Sequence, residues 1–194
     1  MIEREIAYCT DAAAWVAWLD SQHASSAGVR LAIAKKGGAH SSVSYADAVE
    51  IALCYGWIDG QKGRLDDDHY LQLFTPRGRR SIWSRINRDT ATRLIDEGRM
   101  HPAGLAAVEL AKTDGRWDAA YASHSAAEIP DDLADALAAS PAASAFFQTL
   151  TSQNRFAIIF RIGNVKRAET RARKIAEYLA MLERGETLYP QRRV

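Results

Sequence analysis

The chain holds 194 residues, of which 47% are hydrophobic and 25% charged, and its formal net charge is +1. That composition is globular and excludes disordered and collagen-like classes, and the balanced charge argues against an all-over nucleic-acid binder while leaving room for a local patch. No apolar run approaches the roughly 18 residues that span a bilayer, which predicts no integral membrane association.

Thr10-Asp11 opens a helix that runs to about His23, with Trp15, Trp18, Leu19 and Gln22 on one face. Gly28 ends that region, and the alternation from Val29 to Lys35 predicts a strand. Lys36 to Ser42, with Gly37-Gly38, reads as a flexible loop; no GK[ST] follows the glycines, so it is not a phosphate loop. Ser44 followed by Asp47 resembles a capping box with aspartate in place of glutamate. It heads a helix from Tyr45 to Cys54 that buries Ala48, Val49, Ala52 and Leu53. Trp57 to Gln61 and Tyr70 to Thr75 are further strand runs, and together with Val29 to Lys35 they predict a small antiparallel sheet.

After Pro76 the pattern is helical. Ser81 is expected to cap a short helix, and Asn87 or Asp89 the next, which ends at Gly98. Pro102 takes a first helical position and Gly115 closes that helix. Pro130 and Pro141 each start another, and Ser152 begins a segment with Phe156, Ile159, Phe160 and Gly163. The last helix runs from about Arg167 to Arg184, with Gly185 as its C′ residue. The expected class is α+β, mainly helical with a small antiparallel sheet, in a single domain over 1–194. Within it a mixed part covers about 1–122 and a helical part 130–185, and Ser123 to Pro130 is the best linker between them.

Cys9 and Cys54 stand far apart, without a CxxC pair or zinc spacing, so neither a disulfide framework nor a metal site is expected. Met1 to Thr10 lacks the basic and apolar regions of a secretory signal, and the chain reads as cytoplasmic. No cofactor motif is present.

Several uncommon words occur in order: Tyr45-Ala46-Asp47-Ala48, Gly56-Trp57-Ile58-Asp59, Phe74-Thr75-Pro76-Arg77 and Ser81-Ile82-Trp83-Ser84-Arg85-Ile86-Asn87. Leu94-Ile95-Asp96-Glu97-Gly98-Arg99-Met100, Pro102-Ala103-Gly104, Gly115-Arg116-Trp117 and Glu169-Thr170-Arg171-Ala172-Arg173-Lys174-Ile175 complete the set. In these the chain, from about Trp15 to Gly185, resembles the YdeI/OmpD-associated family of bacteriocin-protection proteins. The resemblance implies a bacterial protein linked to tolerance of antimicrobial peptides or stress. It assigns no catalytic residue.

The residues themselves point to Gly56–Asn87. From Arg77 to Arg93 six arginines stand against Asp89, a formal charge of +5. Arginine forks bind phosphate or carboxylate and stack on aromatics, and a helix start near Ser81 would add free backbone N–H groups. The expected site is a pocket for a small anionic ligand lined by Trp57, Asp59, Arg77, Ser81, Trp83, Ser84 and Asn87, with Arg77 as the clamp. The structural alternative pairs these arginines with Asp66, Asp67 and Asp68 across a hairpin. An enzyme is a second reading, with Asp59 as the acid or base and Asp66 opposite it across a turn. Ser81 and Ser84 lack a nucleophile elbow and fit helix caps instead.

A third reading is a partner- or nucleic-acid-binding module on the basic C-terminal helix. Residues 161–194 carry nine basic and four acidic groups. Residues 101–150 carry seven acidic and two basic groups, which favours charge pairing within the protein and disfavours nucleic acid. Trp15, Trp18, Phe146, Phe147, Phe156 and Phe160 read as core, and the same aromatic stripe offers a homodimer face.

Overall fold

Most helices here begin where a short polar side chain takes up free N–H groups of the first turn. A computed structural model describes residues 4–37, 40–121 and 128–191. It divides into two compact units, Met1–Ala120 and Tyr121–Val194.

In the first unit, β1 (Ile6–Tyr8) leads into α1 (Ala12–Gln22), whose cap Asp11 accepts from Ala14 N. Strand β2 (Val29–Ala34) and helix α2 (Tyr45–Cys54) follow; Ser44 caps α2 by accepting from Asp47 N. Strands β3 (Trp57–Arg64) and β4 (His69–Pro76) form a hairpin. Helix α3 (Arg85–Asp96) is capped by Ser84, and α4 (Pro102–Thr113) by His101, whose Nδ1 accepts from Ala103 N. The sheet order is β1-β2-β4-β3. β1 runs parallel to β2 and the other pairings are antiparallel.

One core lies between α1, α2 and a sheet face that carries Val29, Leu31, Ile33 and Phe74. Trp15, fully buried in it, donates from its indole nitrogen to Ala48 O at 3.1 Å and so ties α1 to α2. A second cluster joins Leu53 and Cys54 to Trp83, Ala91, Leu94, Val108 and Ala111. There α4 touches α2 backbone to backbone: a Cβ at Gly104 would stand 2.0 Å from Cys54 O.

The second unit holds α5 (Asp131–Ala139), α6 (Pro141–Thr149), α7 (Ser152–Gly163) and α8 (Ala168–Glu183). Leu133, Leu137, Phe147, Ile158, Ile162, Ile175 and Leu182 form its core. Asn154, 1% exposed, holds the C-terminal stretch against α7: its Oδ1 accepts from Tyr189 N, and its Nδ2 donates to Tyr189 O and Gln191 Oε1. Arg171 forks onto the Asp132 carboxylate, so a basic residue of α8 is neutralised within its own unit.

The class is α+β. Three details differ from the sequence reading. The sheet is mixed, because the three-residue β1 adds a parallel pair that is too short to give an alternation signal. Ser81 caps no helix: its hydroxyl accepts from Gly78 N inside a loop, and Ser84 caps α3, which leaves Asn87 and Asp89 within that helix. Trp18, Phe146, Phe156 and Phe160 are only partly buried, whereas Trp15 and Phe147 are buried. Gly38 and Ala39 of the expected glycine loop and residues 123–127 of the expected linker lie outside the described residues.

Candidate functional site

Gln72 is 4% exposed, a polar side chain in an apolar neighbourhood. Burial of such a group is costly unless it is hydrogen-bonded. Its Nε2 donates to Gly60 O at 2.7 Å, inside a register shift between Asp59 and Lys62. The bulge sets Lys62 opposite Gln72, on the face that carries Tyr70. Bulges re-aim side chains in this way. The Lys62 ammonium rests 3.7 Å from the centroid of the Tyr70 ring, a cation–π contact.

This lysine borders an open cleft of about 640 Å³ in the first unit. The end of β2 (Ile33, Ala34), Lys35 and Lys36, His40 to Ser44, Tyr45 and Tyr70 complete its lining. The three lysines meet no carboxylate among the described lining residues. Lys35 is held by the carbonyls of Asp66 and Asp67, at 2.7 and 3.1 Å. His40 stacks on His69 with 5.4 Å between centroids and lies 3.7 Å from Asp68. Ser42 fastens the rim, its hydroxyl accepting from Ala34 N and donating to Val43 O.

Tyr45 stands on the first turn of α2 and donates its phenol proton to Asp59 Oδ2 at 2.7 Å. Burial and the Asp59 carboxylate raise its pKa strongly, so it stays a neutral donor. Burial also pushes the Tyr70 phenol up. The cleft thus offers cations, hydroxyls and aromatic walls, a donor set that suits a small anion.

Asp59 therefore reaches the cleft edge through Tyr45. Trp57 does not: it is 1% exposed, packs edge-on against Trp18 and donates to His23 O at 3.3 Å. Arg77, Ser81, Trp83 and Ser84 gather in a separate place. The Arg77 guanidinium lies 3.7 Å from the Trp83 ring centroid and Nη1 donates to Ile82 O at 3.3 Å. Trp83, also 1% exposed, meets Trp117 edge to face, and Arg116 donates to Ser81 O at 2.7 Å. Asn87 contributes its backbone N–H to the Ser84 cap. Trp57 and Trp83 belong to different core clusters, and neither lines this cleft. Asp66 does not face Asp59; its carboxylate accepts from the N–H groups of Asp68 and His69, and those bonds hold its pKa low, that from His69 most of all.

The sequence reading did not single out Tyr45, Tyr70 and His40 as site residues. The signal was thin: a tyrosine just after a cap, one in a strand and a loop histidine. Among the described residues no cluster of three or more His, Cys, Asp and Glu side chains could hold a metal ion. No helix among them is long and apolar enough to cross a membrane.

Residues 7–107 match a family described as Domain of unknown function (DUF8412), and residues 126–185 match the family described as Bacteriocin-protection, YdeI or OmpD-Associated. The words from Tyr45 to Gly104 thus fall in the first match, and Glu169 to Ile175 in the second. No curated protein and no solved structure gives a match.

Proposed function

We propose that this chain, which belongs to the DUF8412 family, is a binding protein for a small anionic ligand taken up in the cleft of its first unit. The observation that carries this reading is the convergence of Lys35, Lys36 and Lys62 on one 640 Å³ cleft whose described lining has no carboxylate. Lys62, fixed on Tyr70, is the principal contact, with Tyr45 and Ser41 on the rim. Asp59 orients Tyr45. We assign Arg77, Ser81, Trp83, Ser84 and Asn87 to shaping the loop ahead of α3, because each of them makes its contacts within the protein. The match over 126–185 supports a role in protection against bacteriocins. A cytoplasmic location belongs to this proposal too.

The test is a thermal-shift series on the whole protein with inorganic phosphate, sugar phosphates, nucleotides and dicarboxylates. A ligand at about 100 times its dissociation constant should stabilise the folded form by about 2.7 kcal/mol. Lys62→Ala should erase the shift and Arg77→Ala should keep it. The opposite pattern would move the site to the Arg77–Trp83 pair, and no shift from any anion would sink the reading.

An enzyme is the second reading, favoured by the Tyr45–Asp59 hydrogen bond at the cleft edge. It requires an activity that vanishes in Asp59→Asn with the melting temperature kept.

A further inference from the structure

The loop ahead of α3 and the first turn of that helix spell Arg79-Arg80-Ser81-Ile82-Trp83-Ser84-Arg85-Ile86. Trp83 plugs into the core at 1% exposure, whereas Ile82 is 38% exposed and Ile86 60%. Arg79, Arg80 and Arg85 are exposed, and among the described residues no carboxylate lies within ion-pair distance of them. Arg88, one turn on, is paired with Asp89. The segment is held in shape from behind. Arg77 donates to Ile82 O, Arg116 to Ser81 O, and Gly78 N to the Ser81 hydroxyl. Two aliphatic side chains are thereby held in water beside three cations without carboxylate partners.

We propose that this face docks on an anionic lipid surface, with Ile82 and Ile86 entering the headgroup layer and Arg79, Arg80 and Arg85 engaging lipid phosphates. Charge complementarity selects an anionic partner. The exposed apolar tips select one that has an apolar interior. A single nucleic-acid strand would ask for exposed aromatic rings on which bases stack, and the tryptophan of this segment is buried. The arginines are dispersed charges that each add about fivefold to partitioning at an anionic leaflet. The inference does not depend on the cleft.

The experiment is co-sedimentation of the full chain with vesicles of phosphatidylcholine alone and of an equal mixture with phosphatidylglycerol. The protein should sediment with the mixed vesicles and not with phosphatidylcholine. Arg79→Ser with Arg80→Ser should lower the partition coefficient about 25-fold. Ile82→Ser with Ile86→Ser should lower it several-fold more than added salt alone does. Lys62→Ala, in the cleft, should leave it unchanged. These sites are exposed, and tryptophan emission checks that each variant folds. Equal or absent sedimentation with the two vesicle types overturns the proposal. So does loss with the arginine variants but not the isoleucine ones, together with equal binding to a duplex oligonucleotide, which would assign the patch to nucleic acid.

Discussion

Gly104→Ala tests how the first unit is put together. The added methyl would stand 2.0 Å from Cys54 O, 2.7 Å from Cys54 C and 2.8 Å from Met100 Cε. Real Cβ atoms essentially never come within 3.0 Å of a heavy atom outside their own and adjacent residues. Going from 2.0 to 3.0 Å requires α4 to retreat by about 1 Å, because the obstacle is backbone and cannot rotate away. The retreat loosens Val108 and Ala111, both fully buried against α2 and Trp83. It also stretches the His101 N to Cys54 O hydrogen bond, now 3.1 Å. Overpacking costs about 1–3 kcal/mol and the hydrogen bond about 1 kcal/mol. The better helix propensity of alanine returns about 1 kcal/mol. The expected net loss is about 2 kcal/mol. All five tryptophans, Trp15, Trp18, Trp57, Trp83 and Trp117, lie in this unit, so urea unfolding followed by tryptophan emission isolates it. The midpoint should fall by about 1 M with the slope unchanged. An alanine variant as stable as the parent, or more so by the propensity gain, would refute the backbone contact.

Three further outcomes follow from particular contacts. Arg77→Ala removes the stack on Trp83 and the bond to Ile82 O, and should destabilise the first unit by about 2 kcal/mol on the same tryptophan assay; an unchanged midpoint would mean that the stack contributes nothing. Asn154→Ala strands the Tyr189 N–H and leaves the Tyr189 carbonyl with the Thr187 hydroxyl alone; it should cost the second unit about 2 kcal/mol by circular dichroism and open the C-terminal stretch to carboxypeptidase, and an equally resistant tail would contradict the latch. The hydrogen bond from Arg171 holds the Asp132 carboxyl below its ordinary value of 3.8, so the pair stabilises above that value and the gain is lost as pH falls through the lower folded one. The stability gap between the parent and Asp132→Asn, about 1 kcal/mol near neutrality, should close below about pH 4; a gap independent of pH would exclude the ion pair as its source.

Helix positions were legible because their determinants are local. Ser44 and Asp11 cap the helices they were expected to cap, Pro102 sits at a first helical position, and Gly98, Gly115 and Gly185 adopt the positive φ that ends three of them. β2 and β4 showed in their alternation, and β3 only in its first part, Trp57 to Gln61. β1 did not, since three residues acquire strand character only by pairing with β2. Ser81 and Ser84 have the same cap chemistry, and the choice between them depends on where Trp83 is buried, which lies outside any local window.

The place of the cleft was not legible in the sequence. Arginines and tryptophans between Gly56 and Asn87 suggested one anion site, but which of them share a surface is a matter of register and burial. The bulge at Asp59–Lys62 turns Lys62 toward Tyr70, and a register shift has no signature in composition. Trp57 and Trp83 go into separate cores, where each is almost wholly removed from water. The sequence by itself determined most of the helices and their ends, and the local excess of positive charge, all of which act over a few residues. Only the tertiary structure decided which cations face a common cleft, because that depends on contacts between residues such as Ala34, Tyr45, Lys62 and Tyr70, which come from different elements of the chain.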